Sequence, residues 1–150
     1  MENKRKKIAL LIIISVICFM IVSLAISEAF KASDNMTNQH KSNYPQVYKT
    51  AVAKQQPVFV FFYADWCSHC VNFMPKLKEL EKKYQGKYNF VTVNVDKNEN
   101  IQLAKDFYVA VLPTVFVVDP TSNKRFKIDS YTLHDDIALD RELCKHIKSN

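Results

Sequence analysis

Two cysteines, Cys67 and Cys70, stand three positions apart in the stretch Tyr63-Ala64-Asp65-Trp66-Cys67-Ser68-His69-Cys70, with a histidine between them. Thiols at that spacing can exchange electrons with another protein's disulfide, hold a soft metal ion, or staple the end of a helix. The staple is the weakest use, because so short a loop constrains the unfolded chain very little. A metal site would recruit Cys67, His69 and Cys70, with copper or zinc completed by His40, His134 or His146. No second Cys-x-x-Cys is present to complete such a set. Haem attachment needs histidine directly after the second cysteine, and Val71 stands there.

Electron exchange requires one thiol to ionise, and the flanking elements provide for that. Val58 to Tyr63 is an almost continuously apolar, β-branched and aromatic run, which predicts a strand covered on both faces. After the cysteines, Phe73, Met74, Leu77, Leu80 and Tyr84 recur every three or four residues, predicting an amphipathic helix that ends near Gly86. Cys67 would then open that helix, where unpaired backbone N–H groups and the positive end of the helix dipole favour a thiolate. Cys70, one helical turn later, can reach it to resolve a mixed disulfide. A protonated His69 would further stabilise the Cys67 thiolate and make the disulfide a better oxidant.

The remaining elements must frame this pair. Val47, Tyr48, Ala51 and Val52 fall at helical spacing ahead of the first strand, and Phe90 to Val95 alternates as a second strand ending at Asp96. Ile101, Leu103, Ala104 and Phe107 mark a short helix. Thr114 to Val118, a polar turn over 119–124, and the alternating Phe126 and Ile128 read as an antiparallel hairpin. Leu133, Ile137, Leu143 and Ile147 close the chain with one amphipathic helix, on which Cys144, beside Leu143, is expected to be a buried, inert thiol. Pro75 should kink its helix. The lysines that alternate with acids over 76–83 read as a solvated face. A parallel β-α-β half followed by a hairpin predicts an α/β layer structure with helices on both faces of a mixed sheet.

The segment "FVFFYADWCSHCVNFMPKLKEL" resembles the active-site strand and helix of the thioredoxin superfamily, with Ala-x-Trp-Cys-x-x-Cys and a proline, Pro75, five residues past the second cysteine. "VTVNVDKNENIQLAKDFYVAVLPTVFVV" is similar to the family's next strand, short helix and cis-proline segment. The resemblance covers about residues 45–149. It implies the thioredoxin fold, a redox-active Cys67–Cys70 disulfide with no other cofactor, Cys67 as nucleophile and Cys70 as resolving thiol. It also implies that Trp66 belongs to the surface around them, and that Leu112 and a cis Pro113 meet an extended stretch of substrate. Two departures stand out: Phe61 occupies the place of a buried acid that aids proton transfer in many members, and Thr92 the place of its partner lysine. Ser68-His69 differs from the Gly-Pro of the reducing thioredoxins. Histidine before the second cysteine is shared with disulfide isomerases and bacterial disulfide oxidases, which implies an oxidising or isomerising protein, with a reductase as the alternative.

The N-terminus carries Lys4, Arg5, Lys6 and Lys7, followed by an uncharged run, Ile8 to Ile26. A helix of that length spans roughly 29 Å, close to the hydrocarbon thickness of a bilayer. The pattern predicts a cytoplasmic basic segment (1–7), a transmembrane anchor or signal region (8–26), a polar linker (27–44) and one domain (45–150). The domain would lie outside the cytoplasm, at a bacterial periplasm or cell surface, or be secreted after cleavage. Residues 32–150 hold 16 basic and 13 acidic side chains, a difference of +3, which is no nucleic-acid footprint. The expected partners are therefore cysteine-containing proteins, a redox partner not specified by the sequence, and the membrane.

Overall fold

The structure, a computed structural model, describes residues 12–28 and 44–147. The chain divides between Ser42 and Asn43 into two units. In the first, residues 12–28 form helix α1, whose side chains are exposed along its whole length. No helix among the described residues is long and apolar enough to cross a membrane. Of the run 8–26 expected to span a membrane, residues 8–11 lie outside the described residues and the rest is helical, without forming such a helix. Residues 1–11 and 29–43 lie outside the described residues, and His40 with them.

The second unit is built on a four-stranded sheet of order β2-β1-β3-β4. Strand β1 (Val58–Tyr63) pairs in parallel with β2 (Asn89–Asn94) and antiparallel with β3 (Thr114–Asp119), which pairs antiparallel with β4 (Lys124–Ile128). Helices α2 (Gln46–Ala53), α3 (Ser68–Lys83), α4 (Ile101–Asp106), α5 (Ser130–His134) and α6 (Asp136–His146) complete it. The period of two along β1 divides the core. Phe59 and Phe61 enter a cluster with Phe73, Leu77 and Leu80 of α3 and Leu139 and Leu143 of α6. Val58, Val60 and Phe62 enter a second cluster with Tyr48 and Ala51 of α2 and Leu103 of α4. These β1 residues are inaccessible to solvent, as a central strand covered on both faces must be. The cysteines follow this strand, which is paired on both sides and covered on both faces, with only residues 64–66 between.

Pro75 lies inside α3, which continues past it to Lys83. Beyond the helix the chain turns at Gly86, whose φ of +77° is a left-handed conformation that side-chain-bearing residues rarely adopt. The C-terminal region corrects the expectation of a single helix. It breaks at Asp135, whose extended backbone ends α5 and whose carboxylate accepts from the N–H groups of Ile137 and Ala138, each at 2.9 Å. Aspartate satisfies orphan N–H groups at a helix start better than it continues a helix. Ile137 is consequently 72% exposed instead of core. Cys144 is also exposed, contrary to its expected burial. It sits about 100° around the helix from the buried Leu143, with its sulfur 3.8 Å from the Tyr84 hydroxyl.

Candidate functional site

The chain leaves β1 through buried Ala64, whose carbonyl accepts from the Cys67 N–H at 3.1 Å. This turn presents Cys67 as the N-cap of α3, with extended backbone and its Sγ accepting from the Cys70 N–H at 3.3 Å. A sulfur therefore holds the position usually taken by Ser, Thr, Asp or Asn, at the positive end of a sixteen-residue helix. Cys67 and Cys70 are joined as a disulfide with Cα atoms 5.2 Å apart. Cys70 is fully buried and Cys67 is 7% exposed, so any sulfur that meets a partner is that of Cys67.

The Leu112–Pro113 peptide bond is cis, as the resemblance implied. Thr114 Oγ1 donates to the Val111 carbonyl at 2.7 Å and closes the turn ahead of β3. Leu112 packs against the cluster that holds both cysteines. Two hollows flank this turn. One, of about 250 Å³, is lined by His69 and Phe73 of α3, Val111 to Pro113, and Ser130, Leu133 and His134 of α5. The other, of about 270 Å³, lies between Trp66 and the segment Val109 to Leu112. Trp66 is 73% exposed and His69 is exposed beside the disulfide. The structure thus brings all six predicted site residues, Trp66, Cys67, His69, Cys70, Leu112 and Pro113, to one end of the sheet.

Of the further histidines considered for a metal, His134 lines the same hollow as His69. His146 is elsewhere, tilted against Phe126 with ring centroids 4.4 Å apart and facing Glu142. Among the described residues there is no group of three or more His, Cys, Asp or Glu placed to hold a metal. Phe61, in the place of the family's buried acid, is fully buried, stacked on Tyr63 and tilted against Phe73. Thr92, opposite it in the β1–β2 register, is exposed.

Sequence reasoning missed three contributors. Asn94 and Asp96, at the end of β2, tie down the residues just before Cys67: Asn94 Nδ2 donates to Asp65 Oδ2 at 3.0 Å, and Trp66 Nε1 donates to Asp96 Oδ2 at 2.9 Å. The strand pattern carried no signal for Asn94, which falls in the same phase as exposed Thr92. Lys76 is the third. Rather than pointing into solvent, its ammonium donates to the Leu133 carbonyl at 2.9 Å and pairs with Asp136, fastening the α5–α6 junction to α3.

A family model described as thioredoxin matches residues 38–138, two thirds of the chain. The chain belongs to the thioredoxin family. Among curated thioredoxin-like relatives, it is 39% identical over 72 residues to the thiol:disulfide interchange protein TxlA homolog of Synechocystis, a match covering 48% of this chain and 40% of that one. It is 35% identical over 77 residues to the chloroplastic thioredoxin-like protein HCF164 of Arabidopsis thaliana, covering 51% of this chain and 30% of that one. The chain thus matches 30–40% of the length of these two relatives. Among solved thioredoxin structures, the germline-specific Deadhead of Drosophila melanogaster superposes with a TM-score of 0.54 at 25% identity, covering 75% of this chain and 94% of that one.

Proposed function

We propose that this protein is a thiol–disulfide oxidoreductase that acts on cysteine-containing proteins through Cys67 and Cys70, in the oxidising or isomerising direction. The observation that carries the reading is the Cys67 sulfur at the N-cap of α3, accepting a backbone N–H, while its neighbours Trp66 and His69 line the two hollows beside Leu112. A thiolate there is stabilised by the helix dipole, and a stabilised thiolate favours the reduced pair, which makes the disulfide an oxidant. His69, exposed in the first turn, adds to this when protonated.

In the oxidising direction a substrate thiolate attacks Cys67 Sγ and breaks the Cys67–Cys70 bond, so that Cys70 leaves as a thiolate and takes a proton. A second substrate thiolate then attacks the substrate sulfur of the mixed disulfide and releases Cys67. The substrate gains a disulfide, two electrons pass to the pair, and a disulfide-bearing partner restores the pair by the same exchange. With Phe61 where a carboxyl group would sit, water carries the Cys70 proton. The hollows on either side of Leu112 and Pro113 receive the substrate chain, and Trp66 borders one of them.

We further place the domain outside the cytoplasm, tethered through the apolar run 8–26. Support comes from the part of that run in α1, which is apolar on every side. The hydroxyls of Ser23 and Ser27 bond back to the carbonyls of Met20 and Leu24, each at 2.9 Å, which removes two polar groups from the helix surface.

The test is to equilibrate the full chain with glutathione and compare wild type with His69→Pro and Cys67→Ser. The expected wild-type potential lies near about −120 to −180 mV and falls in His69→Pro, while Cys67→Ser loses exchange. A value near about −270 mV, indifferent to His69, overturns the oxidising direction in favour of a reductase.

A further inference from the structure

Asn94 is a buried amide, 6% exposed, although it falls in the phase of β2 that leaves Thr92 exposed. Burying an amide is costly unless its polar atoms find partners. Here they do, and the partners point in one direction. Its Nδ2 donates to Asp65 Oδ2 at 3.0 Å, and its Oδ1 accepts from the Asp96 N–H at 3.0 Å. Its main-chain carbonyl accepts from Asn100 Nδ2 at 2.8 Å, and Asn100 is itself only 8% exposed. Asp96 in turn accepts from Trp66 Nε1. Above this corner, the Val95 N–H donates to the Tyr63 carbonyl at 2.9 Å. The loop that carries Cys67 is thus held to the end of β2 at Tyr63, Asp65 and Trp66.

Two of those three restraints involve a carboxylate, that of Asp65 and that of Asp96. Asp65 is exposed, stands two residues before Cys67, and has its carboxylate fixed over β2 by Asn94. Released, that carboxylate would be free to approach the sulfur, and a nearby negative charge disfavours a thiolate. The charged and titratable groups near this end include Asp65 and Asp96 on the β2 side, and His69 with His134, Lys76 and Asp136, which share hollows on the other side. Asn94 also holds Asp96 through the Asp96 main-chain N–H, but the Asp96 carboxylate has its own partner in Trp66 Nε1, so Asp65 is the carboxylate that the Asn94 side chain bonds directly.

We propose that Asn94 is a positioning residue for the nucleophile: its amide holds the Asp65 carboxylate over β2, so that Cys67 ionises without a carboxylate against it. The proposal rests on the reading of Cys67 as the attacking thiol. Asn94→Asp is nearly isosteric and keeps an oxygen for the Asp96 N–H, but it replaces the donor facing Asp65 with a second carboxylate. Asn94→Ala simply removes the donor.

The experiment is the pH profile of iodoacetamide alkylation of the reduced full chain, read by peptide mass spectrometry so that Cys67 is separated from Cys18, Cys70 and Cys144. Asn94→Asp and Asn94→Ala are each expected to move the Cys67 midpoint upward, in Asn94→Ala by no more than about half a pH unit, the full repulsion of a carboxylate roughly 7 Å away through water. In an Asp65→Asn background, Asn94→Ala is expected to leave the midpoint where Asp65→Asn alone puts it. Wild-type midpoints in both single variants, or a shift that survives in the Asp65→Asn background, overturn the proposal while leaving Cys67 as the nucleophile. A Cys67→Ser chain that still exchanges disulfides overturns the underlying reading and this proposal with it.

Discussion

Replacing Lys76 with methionine keeps the length and packing of the side chain and removes the ammonium that joins α3 to the α5–α6 junction. Two interactions are lost, and they are unequal. The ion pair with Asp136, whose side chain is 86% exposed, contributes about 0–1 kcal/mol. The hydrogen bond to the Leu133 carbonyl lies on the better-covered side of Lys76, whose side chain is 23% exposed. A charged donor to a carbonyl contributes about 1.5–3 kcal/mol, and the partial exposure moves this site toward the lower figure. Lys76→Met should therefore cost about 2 kcal/mol, and Asp136→Asn less than about 0.5 kcal/mol. Urea unfolding followed by the fluorescence of Trp66, the only tryptophan, reads both values. Amide exchange should accelerate from Leu133 to Ala138 in Lys76→Met before it does elsewhere. Equal losses in the two variants, or a Lys76→Met chain within about 0.5 kcal/mol of wild type, would refute the argument that the carbonyl is the important partner.

Two further outcomes concern the same region. Asp135→Ala removes the acceptor for the first N–H groups of α6 and is expected to cost about 1 kcal/mol, seen as a lower urea midpoint with an unchanged slope. Acid should loosen the C-terminal helices. The N–H and hydroxyl of Thr132 hold the Asp129 carboxyl below its ordinary value of 3.8, and Lys83, then Tyr84, hold Asp140 below it. Carboxylates depressed in the folded state add stability that is present above the unfolded value and lost as pH falls through the folded one. Exchange protection in α5 and α6 should thus decline below about pH 3.8, and Asp129→Asn with Asp140→Asn should flatten that decline.

The parts of the fold that were legible in the sequence are those where burial alone decides. Val58 to Tyr63 is apolar throughout because both faces of β1 are covered, and Phe73, Leu77 and Leu80 keep the helical period because one face of α3 meets the sheet. The placing of the six candidate residues at one end of the sheet was legible because Cys67, His69 and Cys70 lie where β1 gives way to α3, and the resemblance supplied Trp66, Leu112 and Pro113. What escaped notice depends on hydrogen bonding between segments distant in sequence, which periodicity does not record. Lys76 has the composition of a solvated lysine, and only the carbonyl brought to it by α5 gives it a different role. Asn94 finds its partner on the β1–α3 loop, 29 positions earlier. The break at Asp135 was a local competition between continuing one helix and capping the next, and the pair Asp135-Asp136 favours the cap. Cys144 was misplaced by its neighbour, since adjacent helix residues face different ways.

The Cys67 cap has a consequence for folding as well as for electron transfer. Oxidation and unfolding form a closed thermodynamic cycle, so whatever stabilises the reduced pair in the folded chain must appear as a difference in stability between the two redox forms. Unfolded, the pair has lost the helix end; folded, its sulfur accepts the Cys70 N–H. Each 30 mV by which folding makes the pair more oxidising corresponds to about 1.4 kcal/mol by which the dithiol form outlasts the disulfide form. In the oxidising direction proposed above, a bond that ordinarily reinforces a protein would in this one be a load on it, relieved each time the pair passes its disulfide to a substrate.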